Sequence, residues 1–127
     1  MKALYTERAP KPIGPYSQGI VVGNFIFVSG QIPIDPATGA LVGGDVREQT
    51  IRVLENVNAI LNSAGASLKD VVKVTAYLVD PADFQAFNEV YTKFFEGGPY
   101  PARTTVFVKE LPRGARVEID VIAWKRQ

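Results

Sequence analysis

A single apolar stripe on the segment that follows Asp45 constrains the fold more than any other feature of the sequence. Asp45 and Glu48 have the spacing of a capping box, which marks the start of a helix. Apolar residues then recur every three or four positions, which predicts a helix of about 19 residues ending at Gly65. Its one buried face consists of Val53, Leu54, Val57, Ile60, Leu61 and Ala64. Such a helix can cover only one side of a sheet.

Three β-rich runs and a second helix surround this element. Gly23-Asn24 separates the runs 19–22 and 25–29 by two residues, a strong hairpin signal. Residues 71–79 are rich in β-branched side chains and predict a central strand. Asp80-Pro81 then begins a second helix, which ends at Gly97. Its inner face is mostly aromatic: Phe84, Phe87, Val90, Tyr91, Phe94 and Phe95.

The last third of the chain holds two further predicted strands, 104–109 and 116–124. We expect them to form a second hairpin across the turn Pro112-Arg113-Gly114. The predicted order is strand, strand, helix, strand, helix, strand, strand. Hairpins at both ends with helices between them indicate an α+β fold, a mixed β-sheet with two helices packed on one face. The 127 residues suit a single domain, 1–127.

The central strand is apolar on both of its sides. One predicted side carries only apolar residues: Val72, Val74, Ala76 and Leu78. The opposite side is interrupted by Lys73 and Thr75 but keeps three apolar residues: Val71, Tyr77 and Val79. Because the helices cover one face, the second apolar surface indicates that another copy of the chain covers the other.

The absence of histidine and cysteine excludes most familiar catalytic machinery. It rules out Ser-His-Asp triads, imidazole bases, thiolate nucleophiles, disulfides and the usual zinc sites. The sequence also lacks the acidic run of a calcium loop, so no metal is expected. The remaining chemistry is a carboxylate for proton transfer and an arginine to clamp a carboxylate.

The charge and hydropathy of the chain limit which binding partners and which cellular compartment can be expected. The net charge is +1 with both signs interspersed, which argues against nucleic-acid binding and against a charged membrane surface. No stretch approaches the roughly 20 apolar residues of a spanning helix. The N-terminal residues lack the apolar core of a signal peptide, so a cytoplasmic location is expected.

Arg103 and Glu118 are the strongest candidates for a site. Arg103 follows Pro101 at the start of a predicted strand, where a rigid element would hold it. Taken alone, it is better explained as an ordinary surface arginine. Glu118 lies in an alternating strand, and a solvated outer face explains that pattern equally well. If a second copy covers this face, Glu118 becomes a buried carboxylate that needs a partner such as Arg103, or a proton.

Three weaker candidates come from local irregularities. Tyr16 is delivered by a stiff Gly-Pro turn, although packing is the commoner role of a lone tyrosine. Gly30 ends a strand and lets another group approach the backbone closely. Asn88 is placed in mid-helix against its propensity, and it could simply face solvent.

Six stretches of the chain together resemble the reactive-intermediate deaminase family, also called the RidA/YjgF family. The resemblance covers essentially the full length and is strongest at the last two segments, which carry Arg103 and Glu118. The matching segments are residues 13–18, 28–33, 49–50 with Asn56, 87–91, 101–103 and 117–119.

The resemblance implies a chorismate-mutase-like homotrimer with a barrel-like core and clefts between subunits. It implies hydrolysis of 2-enamine and 2-imine intermediates to 2-keto acids and ammonia, without a cofactor. By similarity, Arg103 would bind the substrate carboxylate and Glu118 would position and activate water. Tyr16, Asn88 and the backbone around Gly30 would line the cleft.

Thr105 departs from the family pattern, because many members carry cysteine there. The resemblance implies that the backbone carbonyl at this position holds water, so threonine is compatible with activity. Thiol chemistry at this point is excluded.

Two other functions remain open at this stage. The protein could be a metabolite-binding or chaperone-like module without turnover. It could also be a translation inhibitor or an endoribonuclease, although the near-neutral charge and the lack of histidine count against RNA. Release of ammonia and keto acid from an imine generated in situ distinguishes the deaminase from both.

Overall fold

The computed structural model describes residues 1–126. Its core is one mixed six-stranded sheet in the order β1-β2-β3-β6-β4-β5, accompanied by two α-helices and three short 3-10 turns. The elements are β1 Lys2–Leu4, β2 Gly19–Val22, β3 Phe25–Gln31, α1 Val46–Asn62, β4 Val71–Leu78, α2 Phe84–Phe95, β5 Ala102–Phe107 and β6 Val117–Trp124. The predicted α+β class with a mixed sheet and two helices is confirmed.

Both helices begin and end close to their predicted bounds. The Asp45 side chain accepts hydrogen bonds from the backbone N–H groups of Arg47 at 3.0 Å and Glu48 at 3.3 Å, which caps α1. The α1 stripe is buried against the sheet. The second helix starts later than predicted, because Asp80 caps a 3-10 turn, Pro81–Asp83, that precedes α2.

The two faces of the sheet differ sharply. Alternate residues of β3, β4 and β6 point at the helices and form one apolar core: Ile26, Val28, Val74, Ala76, Leu78, Val117, Ile119, Val121 and Ala123. The other face, here called the open face, carries large apolar side chains that remain 39–45% exposed: Phe25, Phe27 and Trp124. This agrees with the expectation that the helices leave one apolar face uncovered.

The predicted second hairpin is wrong. β5 and β6 are not neighbours, because β4 lies between them, antiparallel to β6 and parallel to β5. The pairing follows from α2, which carries the chain back so that β5 enters the sheet in the same direction as β4. The turn residues at Pro112–Gly114 form a 3-10 turn instead of a hairpin loop.

The predicted faces of the central strand need one correction. Val71 is buried and Val72 is exposed, the reverse of the alternation expected from the sequence. Val71 pairs with Ala123 and Lys73 with the adjacent Ile122, so Val72 is an extra residue in the ladder. Such a β-bulge shifts the side-chain phase by one position, and the predicted alternation holds from Val74 onward.

The sequence also failed to indicate β1. This three-residue strand pairs antiparallel with β2 and contributes Leu4 to the core. Within the described residues, none of the helices is both long enough and apolar enough to cross a bilayer.

Candidate functional site

Arg103 lies on the edge strand β5, under α2. Its register partner on β4 is the fully buried Val74, so its side chain starts on the helix-covered face. Arg103 Nη1 donates a hydrogen bond of 2.9 Å to Asn88 Oδ1. Asn88 therefore faces the arginine rather than bulk solvent, which explains an amide at this mid-helix position.

The Arg103 guanidinium has N–H donors that its hydrogen bond to Asn88 does not use. It offers five N–H groups in a planar fork, and Asn88 occupies one of them. None of the ion pairs within residues 1–126 involves Arg103. Its fork is thus free to bind an incoming carboxylate through two parallel, charge-assisted hydrogen bonds.

Thr105 follows two residues later on the same face of β5. Its Oγ1 is buried and has no hydrogen-bond partner within residues 1–126. Together, Asn88, Arg103 and Thr105 form what we call the arginine half-site.

If the protein hydrolyses imines, as the family resemblance implies, we expect Thr105→Val to keep turnover within about twofold of wild type. Valine keeps the shape of threonine and removes a buried hydroxyl without a partner, so the free energy of unfolding should hold or rise by about 1 kcal/mol. Steady-state kinetics and thermal melting of the variant measure both effects. A tenfold loss of turnover in a stably folded variant would show that the hydroxyl itself takes part.

Glu118 lies on the open face. It pairs with Tyr77 on β4, and its neighbours in sequence, Val117 and Ile119, point the other way into the core. The ladder between β3 and β6 is irregular between Val28 and Gln31, as is common beside functional sites. A half-buried carboxylate results, beside the irregular segment of β3.

The surroundings of Glu118 favour its protonated form. Burial raises the pKa of Glu118, and the negative charge of Asp120 raises this pKa further. Asp120 in turn accepts a 2.9 Å hydrogen bond from the Tyr77 hydroxyl. A carboxyl group with a raised pKa is suited to exchange protons near neutral pH.

Gly30 is needed for space beside Glu118. A Cβ placed on Gly30 would overlap Glu118 Oε2 and lie 3.0 Å from its Cδ. Any side chain at this position must therefore displace the carboxylate. Steric room, rather than a left-handed backbone, explains the glycine.

We expect Gly30→Ala to lower turnover by at least about tenfold, because displacement of a catalytic group by about 1 Å can cost 100-fold. Circular dichroism should show an intact fold. Gly43→Ala is the matched control, since a Cβ there meets no atom within 4 Å. Equal activities for the two variants would contradict a role for the Glu118 position.

Tyr16 lies on the N-terminal loop and lines a cavity of about 320 Å³ together with Gly30. The buried Gln18 fixes the loop, since its Nε2 donates to the carbonyls of Thr6, Ala9 and Pro10 at 2.9–3.3 Å. Tyr16, Gly30 and Glu118 form what we call the glutamate half-site.

The two half-sites lie on opposite faces of the sheet. Arg103 is level with the inward-facing Val74, whereas Glu118 is level with Tyr77 on the open face. One chain alone cannot bring both groups to the same small molecule. Within residues 1–126 there is also no cluster of three or more acidic side chains that could hold a metal ion.

A protein-family model described as Endoribonuclease L-PSP matches residues 6–125. The chain belongs to the YjgF/RidA/RutC family. Among its relatives, a RutC family protein of Pyrococcus abyssi is 60% identical over 124 residues, covering 98% of this chain and 97% of the relative. The predicted family is thereby confirmed.

Two other members of the YjgF/RidA/RutC family carry more specific descriptions. A protein of the mite Dermatophagoides farinae, named 2-iminobutanoate/2-iminopropanoate deaminase, is 44% identical and covers 95% of this chain and 94% of its own. The crystal structure of Escherichia coli TdcF with bound serine is also 44% identical, with a TM-score of 0.95. It covers 99% of this chain and 100% of TdcF.

Sequence reasoning missed three residues that shape the half-sites of this family member. Gln18 anchors the loop that carries Tyr16, Asp120 acts on the pKa of Glu118, and Tyr91 lies against Arg103. A signal existed for Tyr91, which was assigned to the aromatic face of α2. Gln18 depends on contacts with a segment distant in sequence, whereas Asp120 is two residues from Glu118 on β6, so the alternation of that strand already placed the two carboxylates on one face.

Proposed function

We propose that the protein is a deaminase that hydrolyses reactive 2-enamine and 2-imine intermediates to 2-keto acids and ammonia. Substrates of this class include 2-aminoacrylate and 2-iminobutyrate. The reaction would take place in clefts between the subunits of a homotrimer with a chorismate-mutase-like fold. One observation carries this proposal: an arginine fork without an ion pair within residues 1–126 and a carboxyl group with a raised pKa lie on opposite faces of one sheet.

Assembly of several subunits would bring an Arg103 and a Glu118 from different chains into one cleft. The open face bears Glu118 among exposed aromatic groups such as Phe27 and Trp124, a surface that a second copy would cover. The arginine half-site lies at the edge of the sheet, on β5. A neighbouring subunit that packs its edge against the open face would bring its own Arg103 to Glu118. Cyclic repetition of this contact closes a ring.

Arg103 supplies binding and orientation. Its free donors would clamp the substrate carboxylate, which leaves the adjacent C=N carbon in a fixed position. Asn88 holds one nitrogen of the guanidinium and so limits rotation of the fork. Fixing both reactants in this way is a large part of the acceleration available to a cofactor-free site.

Glu118 supplies proton transfer. As the water oxygen bonds to the carbon of the protonated imine, ionised Glu118 would take one water proton, and a carbinolamine forms. Protonated Glu118 would then give this proton to the nitrogen. As the C–N bond breaks, the hydroxyl oxygen forms the C=O bond and its proton passes to the departing ammonia. One water is consumed and one ammonium ion leaves, with no change of oxidation state. The raised pKa of Glu118 suits a group that both accepts and returns a proton.

The named relatives support this proposal. The mite protein is named as an imine deaminase, and the TdcF structure holds serine, which carries an α-carboxylate. Their identities of 44% extend over nearly the full chain. The remaining expectations are part of the same proposal: one domain over residues 1–127, a cytoplasmic location, and neither metal nor cofactor.

Complementation between two inactive variants tests the intersubunit site. Arg103→Ala and Glu118→Gln would each be inactive alone, but mixed assemblies contain clefts with both wild-type residues. In every mixed trimer, one of the three clefts holds both wild-type residues, so about a third of the clefts are restored after purification through both tags. The two chains are co-expressed with different tags, purified through both, and assayed for keto acid from imine made in situ. Absence of any recovery, with wild type active, would place the site within one chain.

The description of the family model favours one alternative, an endoribonuclease. The chain has no histidine and a net charge of +1, which gives RNA little electrostatic attraction. If the wild-type protein cleaves RNA but releases no keto acid, the deaminase proposal is wrong and the endoribonuclease takes its place. Binding of carboxylates without cleavage of either substrate would identify a binding module.

A further inference from the structure

Tyr91 places its ring against the guanidinium of Arg103. The Arg103 Cζ lies 4.7 Å from the centroid of the Tyr91 ring, closer than to Phe87 at 5.6 Å or Phe84 at 5.8 Å. These distances are within the range of cation–π attraction. Tyr91 is 5% exposed, so its ring can hold a fixed position beneath the arginine.

The helix α2 organises both contacts to the arginine. Asn88 and Tyr91 are three residues apart and so share one side of α2, where they face β5. Asn88 holds the guanidinium edge through a hydrogen bond, and Tyr91 holds its face through the ring. Together, the two contacts restrain the position of the fork.

The tyrosine hydroxyl contributes nothing visible to this arrangement. The Oη atom is buried and has no hydrogen-bond partner within residues 1–126. Burial accordingly raises the pKa of Tyr91, while the nearby Arg103 charge opposes this rise. The ring and the hydroxyl can therefore be separated by mutation.

We propose that Tyr91 is a positioning residue, whose buried ring orients the Arg103 fork toward the substrate carboxylate. This inference deepens the proposed function and rests on it for the identity of the ligand. The orientation of the guanidinium itself is independent of that function. Without the ring, the arginine would lose its support on one side and explore rotamers that point away from the cleft.

The test compares Tyr91→Phe with Tyr91→Leu in the full assembly. Tyr91→Phe keeps the ring, so KM for the in situ imine and the affinity for 2-oxobutanoate should stay within about twofold of wild type. Tyr91→Leu removes the ring and should raise both KM and the dissociation constant by about 3- to 30-fold. The kcat of Tyr91→Leu should fall by a smaller factor than its KM rises, because the variant leaves Glu118 unchanged.

Phe95→Leu is the matched control for lost packing. Phe95 is a buried aromatic residue one turn further along α2, and its ring is tilted by 33° with its centroid 4.6 Å from that of Tyr91. Within residues 1–126, the cation–π contacts of Arg103 are with Phe84, Phe87 and Tyr91. Phe95→Leu should lower the melting temperature about as much as Tyr91→Leu but leave KM unchanged. If both variants raise KM equally, the effect is general packing, and the positioning role is wrong.

Two further readouts separate this inference from the proposed function. In the Arg103→Lys background, Tyr91→Leu should have no additional effect on 2-oxobutanoate affinity, because the fork that it orients is gone. Ring-current shifts of the Arg103 Nε–H and Cζ resonances should persist in Tyr91→Phe and become smaller in Tyr91→Leu, where the more distant rings of Phe87 and Phe84 remain, whether or not the protein is a deaminase. Unchanged shifts in Tyr91→Leu, or fully additive losses in the double variant, would overturn the inference.

Discussion

Arg103→Ala should lower kcat/KM for imine hydrolysis by about 100- to 10,000-fold. The variant loses two charge-assisted hydrogen bonds to the substrate carboxylate and, with them, the orientation of the C=N group. A coupled assay in which an amino-acid oxidase generates the imine measures keto-acid release. Near-wild-type turnover would show that Arg103 is not the carboxylate clamp.

The folded structure should tolerate this change. Arg103 is on an edge strand and, within residues 1–126, it forms no ion pair and its side chain hydrogen-bonds to the part-exposed Asn88. Its guanidinium also lies over the rings of Tyr91, Phe87 and Phe84, so the melting temperature should fall slightly through lost packing. Light scattering should match wild type. Arg103→Lys is the informative companion, because it keeps the charge but loses the planar fork. Its activity should lie between those of wild type and Arg103→Ala.

The elements with local signals were predictable from the sequence. The α1 helix carries its own cap at Asp45 and its own apolar stripe, and the β2–β3 hairpin carries its own turn at Gly23. These signals span a few residues, so they survive without knowledge of the rest of the fold.

The sheet order was not predictable, because it depends on pairing between distant segments. The turn at Pro112–Gly114 resembles a hairpin loop in sequence, but β6 has antiparallel partners on both sides, β3 and β4. β5 is left with β4 as its parallel neighbour. No local pattern distinguishes these outcomes, and the one-residue bulge at Val72 is equally invisible.

In the candidate site, too, the residues were predictable from the sequence but their arrangement was not. Six other arginines and six other glutamates offer the same chemistry, so Arg103 and Glu118 were singled out by their positions in predicted strands and by the family resemblance. Their placement on opposite faces emerges only from the register of β5 and β6 against β4. The requirement for Gly30 likewise needs the approach of β6, which brings the Glu118 carboxylate over the backbone of β3.

Glu118→Gln should lower kcat by about 100-fold or more, while affinity for a carboxylate analogue such as 2-oxobutanoate stays near wild type. Glutamine has the size of glutamate and can still bond water, but it does not exchange protons at a useful rate. Binding is retained because the Arg103 fork is unaltered. Single-turnover kinetics and calorimetric titration separate the chemical step from binding.

In Glu118→Gln, stability relative to wild type should increase although activity falls. The raised pKa of Glu118 means that the folded protein disfavours the ionised carboxyl group. Its contribution to stability is thus present below the ordinary carboxyl pKa and is lost as the pH rises through the raised value. Glutamine carries no charge at any pH, so the melting temperature of Glu118→Gln relative to wild type should increase across that interval.

A purely structural role for Glu118 predicts a different pattern. If Glu118 served only as an ion-pair partner for Arg103 of a neighbouring subunit, its pairing would lower its pKa in the assembly. Glutamine would then weaken both analogue binding and the assembly itself, while turnover at saturating substrate stayed high. Turnover, analogue affinity and melting across pH, measured on this one variant, therefore decide between the roles. Unchanged turnover in a less stable assembly would remove Glu118 from the chemistry, because a general base cannot be dispensable for the step that it catalyses.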